Sequence, residues 1–491
     1  MVNSQSLLII VHCPLIYYID LLSDFSGLAT TQILNFSGAP MSTPNIVFIM
    51  TDNQGAWSIG CYDNPDIRTP NIDRLAQEGM RFTDAYCVNS VCSPSRATYF
   101  TGLIPSQHGV HCYLGGEKPD SQMGPDAYCT VAEFPTLSRT LNNAGYTCGL
   151  SGKWHLGDSL NEQEGFSYWF NRPKGHTATF YDDDLIWNNE VYKESRYTTD
   201  VVTEHALDFL ANHRKDPFFL YVAFNGPYGL GQSMTEIHQN RHTEYYANKE
   251  LSCFPREPIH PWLRQNRDFM NNPVSIEGYA SAVSGVDDGV GAILNALDEH
   301  GLSENTLVIY TSDQGLTGGH HGMWGMGDHS RPLHTYEETI HIPLIFRHPQ
   351  HIPSESLCEH RTCNYDFMPT LLDYIGLADE SPTASPGHSY ALTLQGQSQD
   401  WNNTIFHEFE NLRMIRNDRW KYTWRFSSGP DELYDMENDP DERYNLIGNP
   451  HLESTAQNLR EQIDTFFITH ADPEYDLWKG GRSKAGRQIE I

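Results

Sequence analysis

A cysteine and an arginine lie four residues apart in the segment Cys92-Ser-Pro94-Ser-Arg96. Pro94 suits the first turn of a helix, so the pattern places Cys92 just before a helix. Backbone N–H groups and the helix dipole at that end favour an anion. Arg96 comes about one helical turn later and can reach the same point. The segment is therefore a candidate nucleophile and anion site. A buried cysteine beside a helix cap is the plainer interpretation of the cysteine taken alone.

Two further segments place a carboxylate and an amide soon after a short apolar run, with a glycine close behind. They are residues 46–50 followed by Asp52-Asn53, and residues 307–310 followed by Asp313-Gln314. Chemistry in α/β sheets gathers at the carboxyl ends of strands. Carboxylate and amide oxygens from separate strand ends suit a hard cation such as Ca²⁺ or Mg²⁺. The alternative for either pair alone is a turn that ends a strand, a common use of Asp and Gly.

The elements that carry these residues alternate along the chain. Short apolar runs predict buried strands at residues 46–50, 218–224, 307–310 and 342–346. Helical patterns between them predict helices at residues 136–144, 199–213 and 277–300. This alternation indicates an α/β fold with a large mixed, mostly parallel sheet between helices.

The pattern changes beyond about residue 398. Residues 414–424 alternate like one strand, residues 427–430 indicate a turn, and residues 432–435 predict a second strand. A last helix is predicted from about residue 452 to 467. We therefore expect a catalytic domain over residues 42–398 and a smaller α+β subdomain, an antiparallel sheet with a helix, over residues 399–491.

The N-terminal segment, residues 1–41, does not fit this pattern. Residues 7–22 are apolar but lack the basic flank of a secretory signal, and they are too short and interrupted to span a membrane. Met41 directly precedes the patterned part of the chain, so we expect translation to start there, with a genuine N-terminal arm as the alternative. The expected location is cytoplasmic, and the alternative is periplasmic or secreted.

Composition excludes several classes of partner. The 491 residues carry a formal net charge of −31, which repels nucleic acid and anionic membrane surfaces. Any anion site must therefore be built locally. The ten cysteines show no zinc spacing, although Cys358 and Cys363 are close enough in sequence to bridge.

The segment from Cys92 to Arg96 resembles the C-x-P-x-R signature of the sulfatases, members of the alkaline phosphatase-like superfamily. Other segments resemble the family in the same order along the chain. They are residues 44–52, 69–76, 97–102, 152–157 (Gly-Lys-Trp-His-Leu-Gly), 311–315, 336–338 and 432–440. The resemblance runs from about residue 43 to 450 and implies the alkaline phosphatase-like fold and sulfuric ester hydrolysis.

The resemblance implies that a separate formylglycine-generating enzyme oxidises Cys92 to an aldehyde, present as its hydrate. One hydroxyl of the hydrate attacks sulfur, and loss of a proton from the other releases sulfate, a step that a simple serine ester lacks. By the same resemblance Arg96 stabilises the hydrate, Lys153 contacts sulfate and His155 accepts the proton in the release step. A surface charge is the alternative for Lys153, and a satisfied core histidine for His155.

The family also implies one bound divalent cation, Ca²⁺, held by the modified residue and by strand-end side chains. The implied ligands are Asp52, Asn53, Cys92, Asp313 and Gln314. Asn53 stands where the family often has a second aspartate, so one negative charge is lost.

Two departures from the family leave the proton donor to the leaving group unassigned. Tyr228 stands where many sulfatases have a histidine that touches sulfate, and no lysine precedes Tyr336 where the family tends to have one. Arg331 or His334 is expected to replace that lysine. His320 and His321 are candidates for the donor, with solvent-exposed loop histidines as the alternative, and His321 joins Tyr228 and Arg331 as a predicted substrate-binding residue.

The predicted substrate is a sulfated carbohydrate, because residues 171–189 and 229–272 are rich in His, Tyr, Trp and Arg. Aromatic faces suit sugar rings, and arginines suit sulfate groups. Sulfated steroids, sulfated lipids and small aryl sulfates, on which the family also acts, are the alternative substrates. The alternative functions are a phosphonate or phosphate diester hydrolase of the same superfamily and a non-catalytic binding protein of sulfatase fold.

Overall fold

The predicted apolar runs form adjacent strands of one mixed sheet in the computed structural model, which describes residues 43–115, 120–235, 240–427 and 429–486. In spatial order the strands are β11 (Ser356–Cys358), β2 (Met80–Phe82), β10 (Leu344–Arg347), β9 (Thr306–Ser312), β1 (Asn45–Asp52), β8 (Phe218–Pro227), β4 (Thr147–Gly152) and β5 (Phe166–Phe170). The strands from β9 to β5 run parallel, whereas β10 is antiparallel to both β9 and β2. The predicted mixed, mostly parallel sheet is confirmed.

The described residues form eleven α-helices, some of which cover the two faces of this sheet. They are α1 (Pro70–Gln77), α2 (Cys92–Thr101), α3 (Pro105–His108), α4 (Leu137–Asn143), α5 (Thr198–Asn212), α6 (Thr243–Tyr246), α7 (Pro273–Glu299), α8 (Glu337–Ile340), α9 (Phe367–Tyr374), α10 (Ala391–Leu394) and α11 (Glu453–His470). Successive residues of β1 point to opposite faces of the sheet and pack against different helices. Phe48 belongs to the buried cluster that includes α2 and α9, and Ile49 to the cluster that includes α5 and α7. Crossing a bilayer needs a longer apolar run than any described helix contains.

The C-terminal part forms a second, antiparallel sheet. Its strands are β13 (Ile405–Phe409), β14 (Leu412–Arg416), β15 (Trp420–Arg425) and β16 (Glu432–Asp435). The prediction of one strand over residues 414–424 is wrong, because the chain turns between β14 and β15. The side-chain oxygen of Asn417 accepts hydrogen bonds from the backbone N–H groups of Arg419 (3.1 Å) and Trp420 (2.8 Å), which closes that turn. The predicted final helix is α11, and it shares a buried cluster with β14.

The remaining described strands form two small pairs. They are β3 (Ala85–Tyr86) with β12 (Thr362–Cys363), and β6 (Asp183–Trp187) with β7 (Glu190–Glu194). Cys358 and Cys363 are both free thiols. The prediction for residues 1–41 lies outside the described residues, and the domain boundary at residue 398 stays a prediction.

Candidate active site

The carboxyl ends of four adjacent parallel strands, β9, β1, β8 and β4, bring polar residues together at one edge of the sheet. Backbone hydrogen bonds between neighbouring strand ends fix where these residues lie. The N–H groups of Asp313, Lys153 and Tyr228 donate to the carbonyls of Thr51 (3.1 Å), Ala223 (2.8 Å) and Asp52 (3.0 Å), respectively. The sheet register therefore positions the candidate site.

Cys92 meets these strand ends from helix α2. It is the first residue of that helix, rather than the residue just before it as the sequence pattern suggests, and Pro94 lies in the first turn. Its buried Sγ lies 3.7 Å from Oδ1 of Asp52 and 3.4 Å from Nε2 of Gln314. Ligand atoms of Asp52, Cys92 and Asp313 all lie within 4.8 Å of one another. The structure thus brings the cysteine motif and both strand-end motifs into one cluster.

Arg96 joins helix α2 to three of the strand ends. Its Nε and Nη2 both donate to Oδ2 of Asp313, at 2.9 and 2.7 Å, and Nη2 lies 3.4 Å from Oδ2 of Asp52. Its Nη1 donates to the carbonyl of Lys153 at 2.7 Å and to the hydroxyl of Tyr221 at 3.0 Å. The guanidinium is fully buried, so these bonds fix its position.

The charges of the cluster balance one another. Nζ of Lys153 pairs with Oδ2 of Asp52, and both side chains are buried. Two carboxylates, Asp52 and Asp313, thus lie among two cations, Arg96 and Lys153. Burial and then the nearby Asp52 carboxylate raise the pKa of Asp313, while Arg96 and Lys153 act in the opposite direction. Removing either cation would leave a buried carboxylate without full compensation.

The oxygen atoms of this cluster fit a hard divalent cation. Oε1 of Gln314 is buried and has no hydrogen-bond partner among the described residues, while its Nε2 donates to Oδ1 of Asn53. The carboxylates of Asp52 and Asp313 face the same point as position 92. Carboxylate and amide oxygens are the ligands that Ca²⁺ and Mg²⁺ prefer.

The unmodified thiol of Cys92 is a poor nucleophile in this environment. Burial and then the Asp52 carboxylate raise its pKa to about 12. The thiolate is the reactive form of cysteine, and a catalytic cysteine needs a lowered pKa. The raised pKa of Cys92 therefore favours a role for position 92 that does not depend on attack by a thiolate.

His155 follows β4 and is held as a neutral imidazole. Its Nε2 lies 2.8 Å from the carbonyl oxygen of Leu114, so Nε2 carries the proton and Nδ1 keeps its lone pair. Nδ1 is buried with no hydrogen-bond partner in the described part of the chain. Burial, and then Lys153, lower the pKa of His155 well below its usual value. The side chain can therefore accept a proton at neutral pH.

Tyr228 lies beyond the end of β8, next to Lys153, whose Nζ is 5.6 Å from the centre of the phenol ring. Its hydroxyl lies 2.9 Å from Nδ1 of His176. No motif in the sequence points to His176. Residues 171–189 are rich in aromatic and basic side chains, so composition indicates the segment but not the residue.

The predicted residues His321 and His320 lie in the loop that follows β9. Nε2 of His321 is 3.3 Å from Oε2 of Glu338, and its ring stacks on Tyr336 with the centres 3.8 Å apart. Burial lowers the pKa of His321, but the Glu338 and Glu442 carboxylates together more than offset that effect, and the pKa is raised. Nδ1 of His320 lies 2.7 Å from the carbonyl oxygen of Thr317.

The same loop carries Arg331 and His334, the predicted replacements for the family lysine. Nη1 of Arg331 donates to the carbonyls of Asp328 at 2.7 Å and Ser330 at 2.6 Å. Nδ1 of His334 lies 2.7 Å from the hydroxyl of Ser330. Both side chains thus make hydrogen bonds within their own loop, and their predicted roles stay predictions.

Several predicted site residues have an unusual backbone. Asn53, His155, Tyr228 and His321 have φ values of 59°, 60°, 56° and 56°. This left-handed region costs free energy for residues other than glycine, and such residues cluster at functional sites. Residues outside the site, such as Asp63 and Glu355, also adopt this region, so the backbone alone does not mark these four positions as functional.

Comparison with known proteins agrees with this geometry. The family model described as Sulfatase matches residues 44–377, and the one described as N-sulphoglucosamine sulphohydrolase, C-terminal, matches residues 322–468.

The chain is 26% identical to an N-acetylglucosamine-6-O-sulfatase of Bacteroides thetaiotaomicron, with 94% of each chain covered. It is 31% identical to the N-acetylgalactosamine-6-sulfatase of Mus musculus, over 74% of this chain and 68% of that one. A solved chain in complex with its substrate D-glucosamine-2-N,6-O-disulfate is 25% identical, with a TM-score of 0.69, and the match covers 89% of this chain and 99% of that one. Because the Sulfatase model matches more than half of its length, the chain belongs to the sulfatase family.

Proposed function

We propose that this sulfatase removes sulfate from a sulfated carbohydrate, using a formylglycine nucleophile derived from Cys92 and one bound Ca²⁺. The observation that supports it best is the buried cluster of Asp52, Cys92 and Asp313. Beside it lies Oε1 of Gln314, which has no hydrogen-bond partner among the residues that the structure describes. A separate formylglycine-generating enzyme would carry out the modification. When bound, the cation supplies a Lewis acid that lowers the pKa of a coordinated hydroxyl group.

Three side chains then have distinct tasks. Arg96 fixes position 92 against the strand ends through its bonds to Asp313 and to the backbone of Lys153. Lys153 supplies an ammonium group for the sulfate oxygens. His155, neutral and with a free lone pair on Nδ1, accepts the proton that must be lost before sulfate leaves.

A carbohydrate substrate is supported by part of the segment predicted to bind sugar. Residues 260–264 of that segment contact the loop of His321 and Arg331 through backbone hydrogen bonds. They are His260 N–H to Gly322 (2.9 Å), Arg264 N–H to His329 (2.9 Å) and Arg331 N–H to Trp262 (2.9 Å). Aromatic and basic groups of this segment thus lie beside the site loop. The named relatives that act on sulfated amino sugars support the same class of substrate.

A direct test combines mass spectrometry with a substrate panel. The peptide that contains Cys92 should carry the aldehyde in active enzyme, and sulfate esters should be hydrolysed in preference to phosphate and phosphonate esters of the same alcohol. Cys92→Ala should abolish turnover. Cys358→Ala is the matched control, because Cys358 is equally buried (3% exposed, as is Cys92) but lies on the edge strand β11. Active enzyme with only unmodified thiol, or a preference for phosphonate esters, contradicts the proposal.

A further inference from the structure

Hydrolysis of a sugar sulfate leaves an alkoxide unless a proton reaches the leaving oxygen, because an alkyl alcohol is a much weaker acid than a phenol. A side chain near the site must therefore donate that proton. The donor has to lie beside the nucleophile, reach solvent for a new proton, and not be committed to another task.

His176 meets these conditions through its contact with Tyr228. Nδ1 of His176 lies 2.9 Å from the Tyr228 hydroxyl, and Tyr228 belongs to the same buried cluster as Cys92. The His176 ring packs edge-on against Tyr113 at 4.8 Å, and its centre is 6.3 Å from that of His155. The residue as a whole is exposed, so proton exchange with solvent is open to it.

The segment that carries His176 is held in place. Nη2 of Arg172 donates to the carbonyl of His176 at 3.2 Å and to the carboxylate of Asp183 at 2.6 Å, and Nη1 of Arg172 donates to the hydroxyl of Thr177. Arg172 itself is buried. The backbone of His176 is therefore fixed before substrate binds, as a catalytic proton donor requires.

Other titratable groups near the site are already committed. Lys153 pairs with Asp52, and Nε2 of His155 donates to a backbone carbonyl. His321 pairs with Glu338. Tyr228 is itself a weak donor, because burial, and then position 92 and Asp52, raise the pKa of its phenol well above the usual value. The phenol therefore stays neutral and serves as a hydrogen-bonding partner.

Charged groups from several elements surround His176 and set its protonation. They are Lys153 after β4, Asp52 at the end of β1, His155, and Asp328 and His329 in the loop after β9. With no anion bound, packing of the ring and then Lys153 lower the pKa of His176 to about 4. A negatively charged sulfate ester placed beside the ring raises that pKa and favours the protonated form.

We propose that His176 is the proton donor to the leaving oxygen of the sulfate ester, oriented by the hydroxyl of Tyr228. In the imidazolium form Nδ1–H donates to the Tyr228 oxygen and Nε2–H faces the substrate. As the nucleophile at position 92 forms its bond to sulfur, the bond between sulfur and the leaving oxygen breaks and its electron pair stays on that oxygen. The Nε2 proton passes to the leaving oxygen to give a neutral alcohol. The neutral imidazole then accepts a hydrogen bond from Tyr228 until solvent supplies a new proton. This inference rests on the proposed sulfate-ester hydrolysis.

The test is a leaving-group series measured on the full-length, modified enzyme. His176→Gln should have little effect on 4-nitrophenyl sulfate, whose leaving group needs no proton. It should lower kcat/KM for a sugar sulfate on the order of 100-fold or more, as is typical when a general acid is lost. Across substituted phenyl sulfates the loss should grow with the pKa of the phenol, and the alkaline limb of the wild-type pH profile should disappear. His451→Gln changes an exposed histidine in the C-terminal part and should leave every substrate unaffected.

The contrary outcomes are distinct. An equal loss on all sulfates would mean that His176 only supports the pocket, and no loss on the sugar sulfate would mean that another group donates the proton. Either result overturns the assignment and leaves the proposed function standing. Wild-type enzyme that hydrolyses no sulfate ester overturns the proposed function itself, and with it this assignment.

Discussion

Substitution of one glycine tests the role of His155 without changing any polar atom of the site. A Cβ atom at Gly175 would lie 2.1 Å from Cε1 and Nε2 of His155 and 2.2 Å from Nδ1. Ordinary contact begins at 3.4 Å, so the imidazole must withdraw by more than 1 Å. Gly175 lies outside the left-handed region of the backbone, and alanine is therefore allowed there apart from this clash.

Withdrawal of the ring removes the 2.8 Å hydrogen bond from Nε2 to the Leu114 carbonyl, which fixes both the tautomer and the direction of Nδ1. A displacement of about 1 Å in a catalytic group typically costs on the order of 100-fold in rate. We expect Gly175→Ala to lower kcat for 4-nitrophenyl sulfate by about that factor. The overpacking itself should cost about 1–3 kcal/mol of stability, measured by denaturant unfolding.

Two controls separate this effect from general damage. Gly448→Ala adds a methyl group where no atom lies within 4 Å, and it should change neither rate nor stability. In a His155→Ala background the clash is gone, so Gly175→Ala should add no further loss of rate. A folded Gly175→Ala enzyme that keeps more than half of its kcat refutes the reasoning. The reasoning is also refuted if Gly175→Ala lowers kcat further in the His155→Ala background.

Three further substitutions test the cation site and the anion pocket. Asp313→Asn replaces an anionic ligand and should weaken Ca²⁺ binding and activity together, measured by calorimetric titration and rate. Asp366→Asn is the control and should weaken neither, because Asp366 is also buried but lies outside the cluster. Undiminished activity after exhaustive chelation contradicts a metal-dependent mechanism. Arg331→Ala should lower kcat/KM on the order of 100-fold as the loss of a fixed charge. Tyr228→Phe should cost about tenfold or less, as for one neutral hydrogen bond. A Tyr228→Phe loss far above that of Arg331→Ala contradicts the placement of Arg331.

The sequence predicts the sheet and the first layer of the site because both depend on short segments. The run at residues 46–50 and the pair Asp52-Asn53 are contiguous, so the strand and its polar end are visible together. Cys92, Pro94 and Arg96 are similarly local. Parallel neighbours β1 and β9 then bring Asp52 and Asp313 together without any further information.

Contacts between loops that are far apart in the sequence cannot be predicted from short segments. The contact between His176 and Tyr228 joins residues that are 52 positions apart on two different loops, and neither residue has a local pattern that points to the other. The prediction of one strand over residues 414–424 is wrong for a different reason, because the signal there is local. Four polar residues, 416–419, interrupt the alternation, and Asn417 followed by Asp418 is typical of a turn. The hydrogen bonds of the Asn417 side chain show that the chain reverses at this point.

Charge balance explains why a cation and a substrate anion belong together in this site. The whole chain carries a formal charge of −31, which opposes the approach of a sulfate ester. Within the cluster Asp52 and Asp313 are balanced by Arg96 and Lys153, so these residues alone give no net attraction for an anion. The proposed Ca²⁺, held by oxygens of Asp52, Asp313 and Gln314, would shift that balance to a net positive charge beside position 92. Substrate affinity should therefore depend on Ca²⁺ through charge as well as through the activation of the nucleophile.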